Sequence, residues 1–278
     1  MHNDSQQGDA MDVGVLGALQ VSVDGTSVVP TAPKPRALLA LLAFNMDQVV
    51  PSRTICDELW GETPPKSAAT TLQTYILQLR RTIAGELSPL APDTARAKQL
   101  LTTRGKGYVL VGEGGECDVA EFDRLASAGM RRSEEGDSQA ASELLRRATD
   151  LWYGEVLVDV ETGPVLETEI MRLKERRRIV VESRVQIDLA LGRHNSVVDE
   201  LSALAVRDRT HEGLHGQLML AQYRCGRRTH ALQTFHRLRT SLLNELGLEP
   251  SPWLHRLQQM ILDTDPVLAS EEYRLVSC

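Results

Sequence analysis

With 278 residues, 42% apolar and 25% charged, the chain has the length of about two domains and an ordinary soluble composition. Cys56, Cys117, Cys225 and Cys278 lie far apart with no Cys-x-x-Cys pair, which excludes a disulfide framework or a zinc ribbon. The net charge of −7 argues at first sight against nucleic acid, but Lys34–Lys106 holds ten basic and six acidic residues, while residues 114–278 hold 21 basic and 27 acidic.

Residues 1–12 are expected to form a disordered lead, polar and acidic and without the apolar core of a signal peptide. No apolar run approaches the ~18 residues of a membrane helix. Val13–Val29 reads as short strands: Leu19, Val21 and Val23 alternate with polar residues, and Asp24-Gly25 makes a hairpin turn. Pro35 to Asn45 follows as a nearly all-apolar, buried helix. A second helix runs from Ser52, as its N-cap, to Trp60. Gly61-Glu62-Thr63-Pro64-Pro65 is a stiff turn that cannot continue it.

The third helix, Lys66–Ile83 with Ser67 as cap, is the most informative element. Ala69, Leu72, Ile76, Leu79 and Ile83 fall on one stripe, and Thr70, Thr71, Thr74, Gln78 and Arg81 on the opposite side. That outer side has no acid. Its hydroxyl and amide groups can both donate to and accept from base edges, and an acid there would repel phosphate. Ser88–Asp93, with two prolines, reads as a loop. Leu100–Leu110 then reads as a hairpin with Arg104-Gly105-Lys106-Gly107-Tyr108 at its tip, a basic wing beside a helix. Such a pair holds a duplex in two places, the helix in the major groove and the wing on phosphates or in the adjacent minor groove.

Gly112–Glu116 reads as a linker. Beyond it the expectation is all helical, at about 118–132, 137–151, 166–191, 195–206, 211–225, 228–245 and 251–263, with turns at Gly136, Gly192, Gly226 and Gly247. Helix pairs of this length stack as tetratricopeptide-like units, and Ala231–Phe235 partly matches the second-helix pattern of that repeat. The basic run Arg172, Lys174, Arg176, Arg177 and Arg178 is read as a solvated face paired with Glu167, Glu169, Glu175 and Glu182. His211 and His215 have i,i+4 spacing but no third ligand, and no Gly-x-x-x-x-Gly-Lys-Ser/Thr loop or Ser/His/Asp arrangement occurs. No catalytic activity, metal or cofactor is expected.

The motifs Lys34-Pro35-Arg36-Ala37-Leu38-Leu39-Ala40-Leu41-Leu42, Glu58-Leu59-Trp60-Gly61, Pro64-Pro65-Lys66-Ser67-Ala68, Leu77-Gln78-Leu79-Arg80-Arg81 and Gly105-Lys106-Gly107-Tyr108 occur in order, followed by Trp152-Tyr153-Gly154 and Glu245-Leu246-Gly247-Leu248-Glu249-Pro250-Ser251. In these the chain resembles the Streptomyces antibiotic regulatory proteins (SARPs) over about residues 13–263. The resemblance implies a mainly α fold with a small β component. An OmpR-type winged helix-turn-helix at 13–112 precedes an all-α, tetratricopeptide-like bacterial transcriptional activation domain at 117–263; residues 264–278 form a tail to which no role is assigned.

The resemblance further implies a cytoplasmic, nucleoid-associated activator of an antibiotic gene cluster. It would bind double-stranded promoter DNA as two side-by-side copies on direct repeats near the −35 region and recruit RNA polymerase through its sigma factor and alpha subunit. The competing readings are a repressor or ligand-sensing regulator on the same scaffold, and a helical adaptor that binds no DNA. The expected DNA-facing set is Thr70, Thr71, Thr74, Gln78 and Arg81, with Tyr75 and Arg80 at the margins of the helix and Arg104 and Lys106 on the wing. Lys34 and Arg36, near the start of the first long helix, are expected on backbone phosphates or as plain solubilising charges. Gln78 suits a bidentate amide pair with adenine, and Arg81 suits guanine or a phosphate. Tyr108 is expected to brace the hairpin, Trp60 to sit in the core, and the turn Gly61–Lys66 to be either a polymerase-facing surface or a connector.

Overall fold

Apolar alternation at the start of the chain closes a small sheet. In the computed structural model, which describes residues 10–87 and 93–270, β1 (Met11–Gly14), β2 (Gln20–Val23) and β3 (Thr26–Ser27) pair antiparallel in that order. Asp24 and Gly25 both take positive φ, 52° and 76°, as a type I′ turn between β2 and β3 requires. The expected lead of residues 1–12 is corrected at its end: Met11 and Val13 are buried and pair with Val23 and Val21, so the strand starts at Met11. Residues 1–9 lie outside the described residues.

Two compact units emerge, one formed by Met1–Leu125 with Ala148–Arg176, the other by Ala126–Arg147 with Arg177–Cys278. In the first, α1 (Pro33–Phe44) buries Ala37 through Ala43 without a break, with its prolines in the first turn, where no intrahelical N–H is lost. Next come β4 (Val50–Pro51) and α2 (Ser52–Trp60). Ser52 is not the N-cap. Pro51 takes that place because it is pinned in a strand against Gly107, and the Ser52 N–H donates to the Lys106 carbonyl at 2.9 Å.

The third helix, α3, spans Ala68–Leu87, and Leu72, Ile76, Leu79 and Ile83 are buried on one face. Ala69, expected on that stripe, is exposed, so the core engages the helix only from Leu72 onward. A short helix that local pattern does not announce, α4 (Thr94–Leu100), precedes the wing; the Asp93 carboxylate caps it by accepting from Arg96 N at 2.8 Å. The rest of the expected loop, residues 88–92, lies outside the described residues. β5 (Leu101–Arg104) and β6 (Gly107–Leu110) form the hairpin and join β4 in a sheet of order β4-β6-β5.

The glycine-acid run 112–116 is not a free linker. It lies along β1: Met11 N–H donates to Gly112 O at 3.1 Å, Val13 N–H to Glu116 O at 2.7 Å, and Glu116 N–H to the Asp12 carboxylate at 2.9 Å. A Cβ at Gly115 would stand 2.1 Å from Met11 O, so glycine serves close backbone approach there.

All seven expected helices of the second half form: α5 (Asp118–Glu134), α6 (Ser138–Asp150), α7 (Pro164–Ala190), α8 (His194–Arg207), α9 (Glu212–Arg224), α10 (Arg228–Leu246) and α11 (Pro252–Asp263). Gly136, Gly192, Gly226 and Gly247 turn the chain between them with positive φ.

The segment between α6 and α7 returns to the first unit. Leu157 N–H donates to Gly17 O at 2.6 Å, the Tyr153 hydroxyl to Ala18 O at 2.9 Å, and Leu19 N–H to the Asp159 carboxylate at 2.8 Å. Glu58, 4% exposed, accepts from the N–H groups of Gly163, Val165 and Leu166 at 2.6–2.9 Å, where a helix N-terminus has unpaired donors. The first compact unit therefore takes in this segment as well as the chain up to Leu125.

In the second unit, α8 packs on α9, α9 on α10 and α10 on α11, the stacking of helical-hairpin repeats. Leu201, Leu218, Phe235, Leu238, Leu254 and Ile261 lie at its centre. Asp188 is fully buried and satisfied by the Ser142 hydroxyl at 2.6 Å and by Arg193 at 2.9 Å, with Arg184 at 3.4 Å. Part of the expected tail belongs to this core. Pro266–Ala269 forms a 3-10 turn, Leu268 is fully buried, and Arg224 Nε donates to Leu268 O at 2.9 Å. Residues 271–278, with Cys278, lie outside the described residues.

Candidate nucleic-acid interface

From Ala68 to Gly85 the α3 sequence carries no acid. Burial of its apolar stripe turns Thr70, Thr74, Gln78 and Arg81 outward, and all four are exposed. The Thr74 hydroxyl donates to Thr70 O at 3.1 Å, which leaves its oxygen as an outward acceptor. Thr71 is half-buried, 3.4 Å from the Ser67 hydroxyl. Among the described residues, no hydrogen bond or ion pair engages the side chains of Gln78 or Arg81, so both are available to a ligand.

Leu77 shares this face at 47% exposure, and the sequence reading missed it. The signal was its place three residues beyond Thr74 and four before Arg81, on the polar rather than the apolar stripe. An exposed leucine among such groups can meet a thymine methyl, an apolar feature of the major-groove edge.

Tyr75 and Arg80 are half-buried at the helix margins and already engaged. The Tyr75 ring stacks on Trp60 with centroids 6.5 Å apart, tying α3 to the end of α2. Trp60 is accordingly half-buried and not fully in the core. Arg80 Nε donates to Leu101 O at 2.8 Å and Nη2 to the Thr103 hydroxyl at 3.0 Å, which sets the wing's position against the helix.

The wing tip turns at Gly105, whose φ of +58° favours glycine. Arg104 and Lys106 are exposed on either side of it, with no partner for their side chains among the described residues. Beneath them Gly107 is buried, and a Cβ there would lie 2.5 Å from Val50 O, so glycine lets β4 close on the hairpin. Tyr108 is buried between Val50 and Thr103 in the register of the sheet, a bracing position.

Lys34 and Arg36 do not join this face through free side chains. Arg36 Nε donates to Pro30 O at 2.8 Å, and Nη1 reaches both the carbonyl and the carboxylate of Asp159, at 3.1 and 3.2 Å. Lys34 lies 3.9 Å from Glu161. Their acidic partners stand more than 120 residues along the chain, where local charge counting does not reach. Arg96, part of the same basic island, pairs with Glu113.

The basic run on α7 is likewise paired: Arg172 with Glu169 at 2.6 Å, Lys174 with Glu155 at 3.1 Å, Arg176 with Asp123 at 2.7 Å, and Arg178 with Glu182 at 2.7 Å. His211 Nδ1 caps α9 by accepting from Leu214 N–H at 3.1 Å, and His215 Nδ1 meets His211 O at 3.0 Å. No helix among the described residues is long and apolar enough to cross a membrane.

Residues 25–110 match the family described as "Transcriptional regulatory protein, C terminal", and residues 117–262 match the bacterial transcriptional activator domain family. The chain is 47% identical to regulatory protein DnrI of Streptomyces peucetius over 92% of this chain and 93% of that protein. It is 38% identical to regulatory protein AfsR of Streptomyces coelicolor over 96% of this chain, but only 26% of that longer protein. A solved structure of Mycobacterium tuberculosis EmbR in complex with low affinity phosphopeptide superposes with a TM-score of 0.80 at 31% identity, covering 93% of this chain and 66% of that one. Two regulatory families matched in order, and a relative matched along nearly its whole length, place the chain in the Streptomyces antibiotic regulatory protein family of transcriptional activators.

Proposed function

We propose that this protein is a sequence-specific, DNA-binding activator of a secondary-metabolite gene cluster in the cytoplasm. The outer face of α3 reads the major groove, and the Arg104–Lys106 tip holds phosphates or the adjacent minor groove. The observation that carries this reading is the union of an acid-free helix face and a basic hairpin tip. Arg81, Arg104 and Lys106 are exposed and unpaired among the described residues, while Lys34, Arg36 and Arg96 have carboxylate partners. Cations spent on carboxylates release no counterions from DNA, whereas free ones do.

The DNA-facing set is therefore Thr70, Thr71, Thr74, Leu77, Gln78 and Arg81 with Arg104 and Lys106. Tyr75 and Arg80 fix the angle between helix and wing. Only three of these residues are cationic, so one copy binds weakly, and two copies side by side on a direct repeat of about one helical turn supply the rest. RNA polymerase, through its sigma factor and alpha subunit, is the partner that turns binding into activation.

The test is selection of bound fragments from a random duplex pool with purified protein at moderate salt. Enrichment of a direct repeat with about one-turn spacing is expected. Folded protein that enriches nothing would overturn the reading in favour of an adaptor that binds no DNA.

A further inference from the structure

Within the second unit, α9 packs against both α8 and α10, and a cavity of about 540 Å³ opens between those two flanking helices with α9 as its floor. Its size falls in the range of small-molecule sites, roughly 300–1,000 Å³. Leu218 and Ala205 supply apolar wall, and Val206 stands at the lip, 66% exposed. No acid lines the cavity, whereas Arg209 and Arg237 both do. Arg237 Nη2 meets the Thr234 hydroxyl at 3.2 Å, leaving its other donors free, and Arg209 has no partner among the described residues.

The floor holds a buried polar group that the fold does not use up. His215 is 4% exposed and lines the cavity. Its Nδ1 lies 3.0 Å from His211 O, so the proton sits on Nδ1 and Nε2 is left as an acceptor. Nε2 has no partner among the described residues. Burial lowers the pKa of the ring and keeps it neutral. On a ring that lines the cavity, such an acceptor can take a hydrogen bond from a ligand or water.

We propose that this cavity binds a small organic carboxylate on an apolar body that also carries a hydroxyl or amide donor. The carboxylate bridges Arg209 and Arg237, the apolar body lies against Leu218, Ala205 and Val206, and the donor meets His215 Nε2. Arginines at opposite walls of an acid-free cavity select an anion, and the apolar floor selects against a bare inorganic one.

Calorimetric titration of the full chain with 8-hydroxyoctanoate, octanoate and 1-octanol tests the assignment without DNA. Saturable 1:1 binding of 8-hydroxyoctanoate is expected, with octanoate weaker and 1-octanol weaker by about tenfold or more, the size of a lost charge-assisted contact. The double variant Arg209→Gln/Arg237→Gln should erase the advantage of the acids over the alcohol. Both side chains are exposed, so the variant should fold, and its circular dichroism checks that it does. The ¹⁵N resonance of His215 Nε2 should move on adding 8-hydroxyoctanoate. Equal binding of acid and alcohol, an acid preference that survives the double variant, or no binding at about 1 mM would each overturn the proposal.

Discussion

The Arg36 guanidinium lies 3.2 Å from the Asp159 carboxylate, and the same carboxylate accepts the Leu19 N–H at 2.8 Å. A residue that sequence places among phosphate contacts thus joins α1 to the loop before α7. Arg36→Ala and Asp159→Ala should each cost roughly 1–2 kcal/mol in urea unfolding, with a coupling of about 1 kcal/mol in the double-mutant cycle, since both side chains are mostly but not fully shielded from water. DNA affinity well below the melting temperature should hardly change. A tenfold loss of affinity in Arg36→Ala with unaltered stability would restore it to the DNA-binding set.

Glu58 makes a deeper version of the same link. Its buried carboxylate satisfies three N–H groups at the start of α7, which nothing in its own helix requires. Glu58→Ala leaves those donors unmet and should destabilise the first unit by about 3 kcal/mol. Glu58→Gln should recover only part, because its amide NH₂ faces backbone donors. Chemical denaturation of both variants decides this, and a loss under about 0.5 kcal/mol in Glu58→Ala would mean the capping contacts contribute little.

On α3, Gln78→Ala and Arg81→Ala should each weaken binding to the selected duplex by about 1–3 kcal/mol if each makes a good base contact. Leu77→Ala should cost less, near 1 kcal/mol, and the loss should vanish on a duplex in which one thymine is replaced by uracil, which lacks the methyl group. Titrations against single-base variants of the operator locate each contact. Uniform losses across all variants would assign the residue to phosphate instead.

The helical half was legible because each helix announces itself locally. Apolar residues recur at three and four, and Gly192, Gly226 and Gly247 mark the turns, so the expected bounds of α8–α11 fall within three residues of those observed. The outer face of α3 was legible for the same reason. What escaped had long-range or very short causes. Asp159 stands 123 positions from Arg36, and Gly163 stands 105 from Glu58, so no window of sequence contains either pair. The helix α4 has seven residues, of which only Ala97 and Leu100 are buried, too few to set a period. Gly112–Glu116 read as flexible because glycine also serves where two backbones touch, and that need is visible only once Met11 lies beside Gly115.

The wing makes a prediction in salt rather than in sequence. If Arg104 and Lys106 hold phosphates, replacing either by alanine should reduce the slope of log K against log salt by about 1 and weaken specific and random duplexes alike. If Arg104 instead enters a narrow minor groove, its loss should fall mainly on A·T-rich flanks. Affinities at several salt concentrations on both kinds of duplex separate the two. A slope unchanged in both variants would remove the wing from the interface.

Acid titration of the first unit should expose Asp118. One of its carboxylate oxygens accepts the N–H groups of Val15 and Leu16, both at 2.8 Å, while the other is buried without a partner. Burial raises its pKa above the ordinary carboxylate value, outweighing those hydrogen bonds. The folded state therefore holds the proton more tightly than the unfolded chain. The stability Asp118 contributes is fully present below the unfolded pKa near 3.8 and is lost as pH rises through the raised folded value. Asp118→Asn keeps an oxygen for both N–H groups and never ionises. It should match or exceed the parent in melting temperature near pH 8, and that advantage should shrink as pH falls toward 4. An advantage that instead grew in acid would mean that the carboxylate, not the protonated acid, is the form the fold prefers.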